Sequence, residues 1–158
     1  MNSVERISIL EKSISIKTDG QNEQELAEYF KQILKYHNIE STEIPFAKGR
    51  SNLIFSIGEG DRILGLTGHM DTVNVGPLSD WQSDPFVLTE MEGKLFGRGT
   101  SDMKGGLVAL IIALIELKDE KVDLGGKIRI LATGGEEKGQ LGSCLLYTSD
   151  AADDMQCV

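Results

Sequence analysis

The sequence predicts a layered α/β domain, and three observations carry that expectation. Two helical patterns open the chain, short β-prone runs follow them, and a strongly apolar helix then leads into one more strand, Lys127 to Ala132. Helices and strands that alternate in this way bury one face of each in a common core.

Taken in order, Val4, Ile7, Leu10 and Ile14 recur about every three residues, which predicts a first helix that ends at the turn chemistry of Thr18, Asp19 and Gly20. Asn22 followed by Glu25 has the form of a capping box, and Leu26, Tyr29, Phe30, Ile33 and Leu34 give the second helix one apolar face. Ser41 to Ile44, Asn52 to Ile57 and Arg62 to Leu66 read as strands, separated by Pro45, Gly49 and the Gly58 to Asp61 cluster. A looser stretch with Gly76 and Pro77 leads to a hairpin of Phe86 to Leu88 and Lys94 to Phe96 about the Glu92-Gly93 turn. Met103 to Leu117 is apolar nearly all round, so it is expected to pack between layers, and Lys127 to Ala132 is expected to be an isolated buried strand.

Composition narrows the function classes. The 158 residues are 40% hydrophobic and 26% charged, which is ordinary for one globular domain. A formal net charge of −9 argues against a nucleic-acid partner, which needs a basic face to replace counterions. The longest apolar run, Gly106 to Leu117, is interrupted by Glu116 and too short to cross a bilayer, so no membrane partner is expected. The N-terminus mixes charges with apolar residues and lacks the features of a secretory signal, so the expected compartment is the cytoplasm. Cys144 and Cys157 have no zinc-ligand or redox spacing, so a metal site must draw on His and carboxylates.

Three motifs place ionisable residues where strands end or a helix begins. LTGHMDTV carries His69 directly after the strand Arg62 to Leu66, which is expected to be buried, GRGTSDMKGG carries Asp102 before the apolar helix, and ATGGEEKG carries Glu136 and Glu137 after the last strand. In open α/β sheets the crevice at the carboxyl ends of strands gathers such residues. An imidazole with carboxylates suits a divalent ion, zinc first and cobalt or manganese next. Of two adjacent glutamates, one can bind the ion while the other takes a proton from water. Asp71 is placed to accept a hydrogen bond from the His69 ring nitrogen turned away from the metal, which would fix its tautomer.

Each residue alone also has a plain structural reading. His69 and the glutamates could be solvated loop residues, and Asp102 could be only a helix N-cap. The glycines of GRGTSDMKGG meet neither the dinucleotide spacing nor the terminal GK[ST] of a phosphate loop. His37 at the end of the second helix reads as a structural cation near the helix dipole, and Trp81 and Phe86 read as core or loop anchors.

Together the motifs resemble those of the zinc-dependent amidohydrolases and exopeptidases that include acetylornithine deacetylase, succinyl-diaminopimelate desuccinylase, aminoacylase and carboxypeptidase G. The likeness runs from about Ser3 to Ser143 and includes the WQSDPF and GKLFGRG segments. It implies the first half of a layered zinc-exopeptidase-like catalytic domain. By the same resemblance His69 binds a metal, Asp102 bridges two, Glu136 is the general base, Glu137 is a ligand and Asp71 supports the histidine. The implied reaction is hydrolysis of an amide bond in an N-acyl amino acid or small peptide by a metal-activated water, in a parent protein that is a possible homodimer.

The departures are equally specific. The family's downstream acidic ligand and C-terminal histidine have no counterpart, and neither does its lid or dimerisation domain, so this fragment is expected to be inactive. Residues 1–143 are expected to be the hydrolase segment. Residues 144–158 are expected to be a non-native tail, because CLLYTSDAADD resembles a translated sequencing-library adapter. The rival functions are a non-catalytic binding or regulatory module on the same fold, and a di- or tripeptidase.

Overall fold

The computed structural model describes residues 1–150, with side chains to residue 146. Helix α1 spans Ser3–Ser15 and α2 spans Glu23–Tyr36; strands β1, Ser41–Ala47, β2, Arg50–Gly58, and β3, Ile63–His69, follow. A small hairpin of β4, Thr89–Met91, and β5, Lys94–Phe96, precedes α3, Lys104–Asp119, then β6, Lys127–Thr133, and α4, Leu141–Asp150. The hairpin turns at Glu92-Gly93 as expected, but its first arm lies three residues later than the sequence pattern suggested.

The α/β expectation holds, and the sheet is mixed. Strand order is β1-β2-β6-β3, and only β3 and β6 run parallel; β1 with β2 and β2 with β6 are antiparallel. Strand β6 is therefore not isolated: it is held on both sides. Strand β3 is at the edge of this sheet, which is why Ile63 and Leu64 are exposed and only its carboxyl end, Gly68 and His69, is buried. The expectation of a buried strand at Arg62 to Leu66 fails because an apolar run does not reveal which edge of the sheet it occupies.

One hydrophobic cluster unites Leu53 and Phe55 of β2 and Ile130 and Ala132 of β6 with Leu26 and Phe30 of α2 and Leu107 and Ile111 of α3. Leu53 faces Ala132 and Phe55 faces Ile130 across the ladder, so one face of the sheet carries the core. Ile54, Ser56, Arg129 and Leu131 on the opposite face are half-buried. Full burial of a side chain such as Phe30 contributes about 1.5–3 kcal/mol, and α2 is anchored chiefly in this way.

The caps differ from expectation. The capping box is at Asn2 and Glu5 of α1. Asn22, at the start of α2, has φ 66 and its side chain caps nothing. Its neighbour Glu23 is instead fully buried, paired with Arg50, and the Gln24 N–H donates to Gly49 O at 3.2 Å. Tertiary partners at that turn replace the local cap. His37 caps the end of α2 and faces Asp119 at 2.9 Å, a structural role as read. Trp81 donates to Val75 O at 2.8 Å under the Arg98 guanidinium, so it anchors the long loop.

Candidate metal centre

The parallel pairing of β3 with β6 builds the site. Its register sets His69 opposite Thr133, so both strands end at the same level and their following loops meet. After Thr133 the chain turns through Gly134 and Gly135, where φ is 78, into a single 3-10 turn, Glu136–Lys138. Asn52 of β2, fully buried, accepts the Gly134 N–H at 2.9 Å and donates to Gly142 O at 3.0 Å, which closes that loop against the sheet.

Donor atoms of His69, Glu136 and Glu137 all lie within 4.8 Å of one another. Asp102 joins them through the histidine: its Oδ1 is 3.0 Å from His69 Nε2, while Glu136 Oε2 is 4.0 Å from the same nitrogen. Asp102 is not a helix cap, since the N-cap position of α3 is Met103 and no side chain caps it. His69, Asp102 and Glu136 border an open cleft of about 330 Å³ that also includes Thr67, Met103 and Ser143. Another cleft, of about 360 Å³, surrounds Gly58, Lys121 and Gly126 and includes no histidine.

Asp71 is fully buried and accepts the hydrogen bond of the His69 ring as expected, with its main chain rather than its side chain. His69 Nδ1 donates to its main-chain carbonyl at 2.8 Å, whereas its carboxylate stands 3.6 Å from that nitrogen, beyond good hydrogen-bond length. The carboxylate instead accepts the Glu136 N–H at 3.1 Å and the Glu137 N–H at 3.0 Å. One residue thus orients the imidazole with its backbone and both glutamates with its side chain. Sequence spacing places Asp71 beside His69, but it gives no sign of the loop 65 residues away.

The electrostatics follow from this packing. His69 is raised from 6.5 to about 9, first by the Asp71 carboxylate and against the effect of burial, with the Asp71 carbonyl and Asp102 adding to the rise. Burial pushes Asp71 up, but the His69 ring and the Glu137 and Glu136 amides outweigh it and hold the carboxyl below its usual range. Glu137 is raised, chiefly by burial, with Asp102, Glu136 and Asp71 pushing the same way against His69. Lys104, buried at the start of α3, is lowered to about 8 by burial, although Nζ donates to Ser13 O and Ile16 O at 2.9 and 2.6 Å.

A pH dependence follows. The folded chain holds the His69 proton more tightly than the unfolded chain, so the charged ring contributes its full stability below pH 6.5 and loses it as pH rises through about 9. Lys104 acts in the opposite sense, since relief of its buried charge begins only above about pH 8. In chelator-treated protein the urea midpoint is therefore expected to fall between pH 6.5 and 8, and His69→Gln is expected to flatten that slope. An unchanged slope in the variant would assign it to other groups.

The residues present fit a divalent ion. With His69 Nδ1 committed to a carbonyl, the deprotonated ring offers Nε2 as its lone-pair donor, and the carboxylates of Glu136 and Glu137 stand beside it. Sequence reasoning missed Thr18 and Asn52, which brace these loops from elsewhere in the chain, and it missed Lys104. Lys104 lies within the Asp102 motif, yet only its burial reveals a task for it.

The sequence pattern of peptidase family M20/M25/M40 matches residues 65–156, more than half of the chain, and these include all five residues of the site. The chain belongs to this family. A probable succinyl-diaminopimelate desuccinylase of Staphylococcus epidermidis is 43% identical over 155 residues, 98% of this chain and 38% of that protein. The chain thus spans well under half the length of the curated M20 relatives it matches. Among solved structures, an M20 metallo-carboxypeptidase of Sulfolobus solfataricus superposes with a TM-score of 0.83 at 24% identity, covering 95% of this chain and 35% of that one. Human carnosine dipeptidase 1 gives 0.76 at 25% identity, covering 93% and 35%. No helix among the described residues of this M20 chain is long and apolar enough to cross a membrane.

Proposed function

We propose that this chain supplies one metal-binding half of the active centre of an M20 hydrolase that cleaves the amide bond of an N-acyl amino acid, of the succinyl-diaminopimelate desuccinylase or acetylornithine deacetylase type. The observation that carries the reading is the convergence of His69, Glu136 and Glu137 at the ends of two parallel strands, with Asp102 against the same imidazole. His69 and Glu137 are assigned as ligands and Asp102 as the bridge between two ions. Zinc is the proposed metal, with cobalt or manganese as substitutes. Activity belongs to the full-length parent, proposed to be a cytoplasmic homodimer, and the chain alone is proposed to be inactive.

When bound, the metal would polarise the scissile carbonyl and make water acidic enough to ionise at neutral pH. The chain's own residues handle the proton. Glu136 has a half-exposed carboxylate above a backbone that Asp71 pins, so it is the group free to take a proton from attacking water and deliver it to the leaving amine. Asp71 keeps the imidazole in the tautomer that presents Nε2.

The desuccinylase reading is supported by 43% identity to a relative of that name, whereas the likeness to a dipeptidase rests on 25%. The test is to express the complete reading frame and assay N-succinyl and N-acetyl amino acids beside dipeptides. Glu136→Gln is expected to abolish turnover with metal retained, and Glu137→Gln to lose metal as well. Dipeptide cleavage alone would make it a peptidase, and no turnover with metal bound would make it a binding module.

Residues 144–158 are proposed to be a foreign tail after a native segment of 1–143, on the adapter-like string alone. The family match runs to residue 156. Resequencing the locus across Gly142 to Cys144 decides between a foreign and a native tail.

A further inference from the structure

We propose that Thr18, distant in sequence from every motif of the site, is a positioning residue that sets the His69–Asp71 turn for metal binding. The proposal rests on the metal-site reading above. Thr18 is fully buried at the end of the segment that follows α1, and it brackets Asp71 from both sides. Its hydroxyl donates to Met70 O at 2.7 Å, and its carbonyl accepts the Thr72 N–H at 3.0 Å and the Gly20 N–H at 2.8 Å. The peptide groups before and after Asp71 are thereby tied to one residue.

Met70 is itself fully buried, and its N–H donates to Thr133 O at 2.7 Å, so the turn is strung between β6 and Thr18. Asp71 then uses its carbonyl on His69 and its carboxylate on the two glutamate amides. A rotation of the Met70-Asp71 peptide would move all three donors together. Among the described residues, the Thr18 hydroxyl is the group that reaches Met70 O. Lys104 steadies the bracket by donating to Ile16 O, two residues before Thr18.

The test compares Thr18→Val, which keeps the shape and removes the hydroxyl, with Thr18→Ser, which keeps the hydroxyl. Cobalt(II) titrations followed by visible absorption give metal affinity. The 1H–15N signal of His69 Nδ1–H in chelator-treated protein reports the ring's hydrogen bond without metal. Thr18→Val is expected to weaken cobalt binding by about 10- to 100-fold, the usual cost of losing an outer support of a metal site, and to shift or broaden the His69 signal. Thr18→Ser is expected to match the parent chain in both. If Thr18→Val fails to fold, judged by circular dichroism, Thr18→Ala is read by the same criteria.

The proposal is overturned if the variant without the hydroxyl matches the parent chain in affinity and in the His69 signal, or if the serine variant is as impaired as the valine one. If the parent chain binds no cobalt at all, the metal reading fails, and the His69 signal alone still decides the role of Thr18.

Discussion

Gly105→Ala is expected to destabilise the chain by about 3 kcal/mol or more, while Gly106→Ala is expected to be neutral or to stabilise it by about 0.5–1 kcal/mol. The two glycines are adjacent in the same motif, and the contrast comes from what a methyl group would meet. A Cβ at Gly105 would stand 2.1 Å from Thr100 O, whereas the nearest atom at Gly106 is Met103 Cε at 3.8 Å. The 99–102 segment folds back onto the first turn of α3, with the Gly105 N–H donating to Gly99 O at 3.1 Å. A backbone oxygen cannot yield as a side chain can, so the segment would have to lift, and Asp102 would lift with it. Urea midpoints of the two variants check this. Equal effects would mean that the glycines serve only as weak helix formers.

Asp71→Ala is the second large effect. It would leave the Glu136 and Glu137 amides without their acceptor and remove the main counter-charge from His69, at a cost of about 3 kcal/mol. Three results are expected together: a lower denaturation midpoint, metal affinity reduced by about 10- to 100-fold, and a His69 ring that falls from about 9 toward its ordinary 6.5. Asp71→Asn retains one acceptor oxygen and should lie between. NMR titration of the ring is the decisive measurement, because the carboxylate is 3.6 Å from Nδ1 while the carbonyl is 2.8 Å away. A ring that stays near 9 in the alanine variant would assign the rise to the carbonyl and Asp102 instead.

Much of this was legible in the sequence, for physical reasons particular to each element. Leu26, Phe30 and Leu34 repeat at helical spacing, so α2 could be placed, although its start could not: Asn22 has the right neighbours for a cap and the wrong backbone. His69, Glu136 and Glu137 could be grouped because strand ends in α/β sheets converge, and their donor atoms do lie together. Sheet order was not legible, since β2 lies between β1 and β6 through pairings that no local pattern encodes. Thr18 and Asn52 were missed because a buried threonine and asparagine have no sequence signature. Their tasks exist only once residues 52 and 82 positions away are folded against them.

The parallel ladder between β3 and β6 also fixes when the site can form. Asp71 and Glu136 are 65 residues apart, and they meet only after that whole loop has closed. Closing a long loop costs entropy before its contacts return any energy, so this pairing belongs to the slow, non-local part of folding. A chain with α1, α2 and the β1–β2 hairpin already formed would still present its histidine and its glutamates as strangers. The convergence of His69, Glu136 and Glu137 is therefore a late event in the life of the chain, a report that the central strand has found its place.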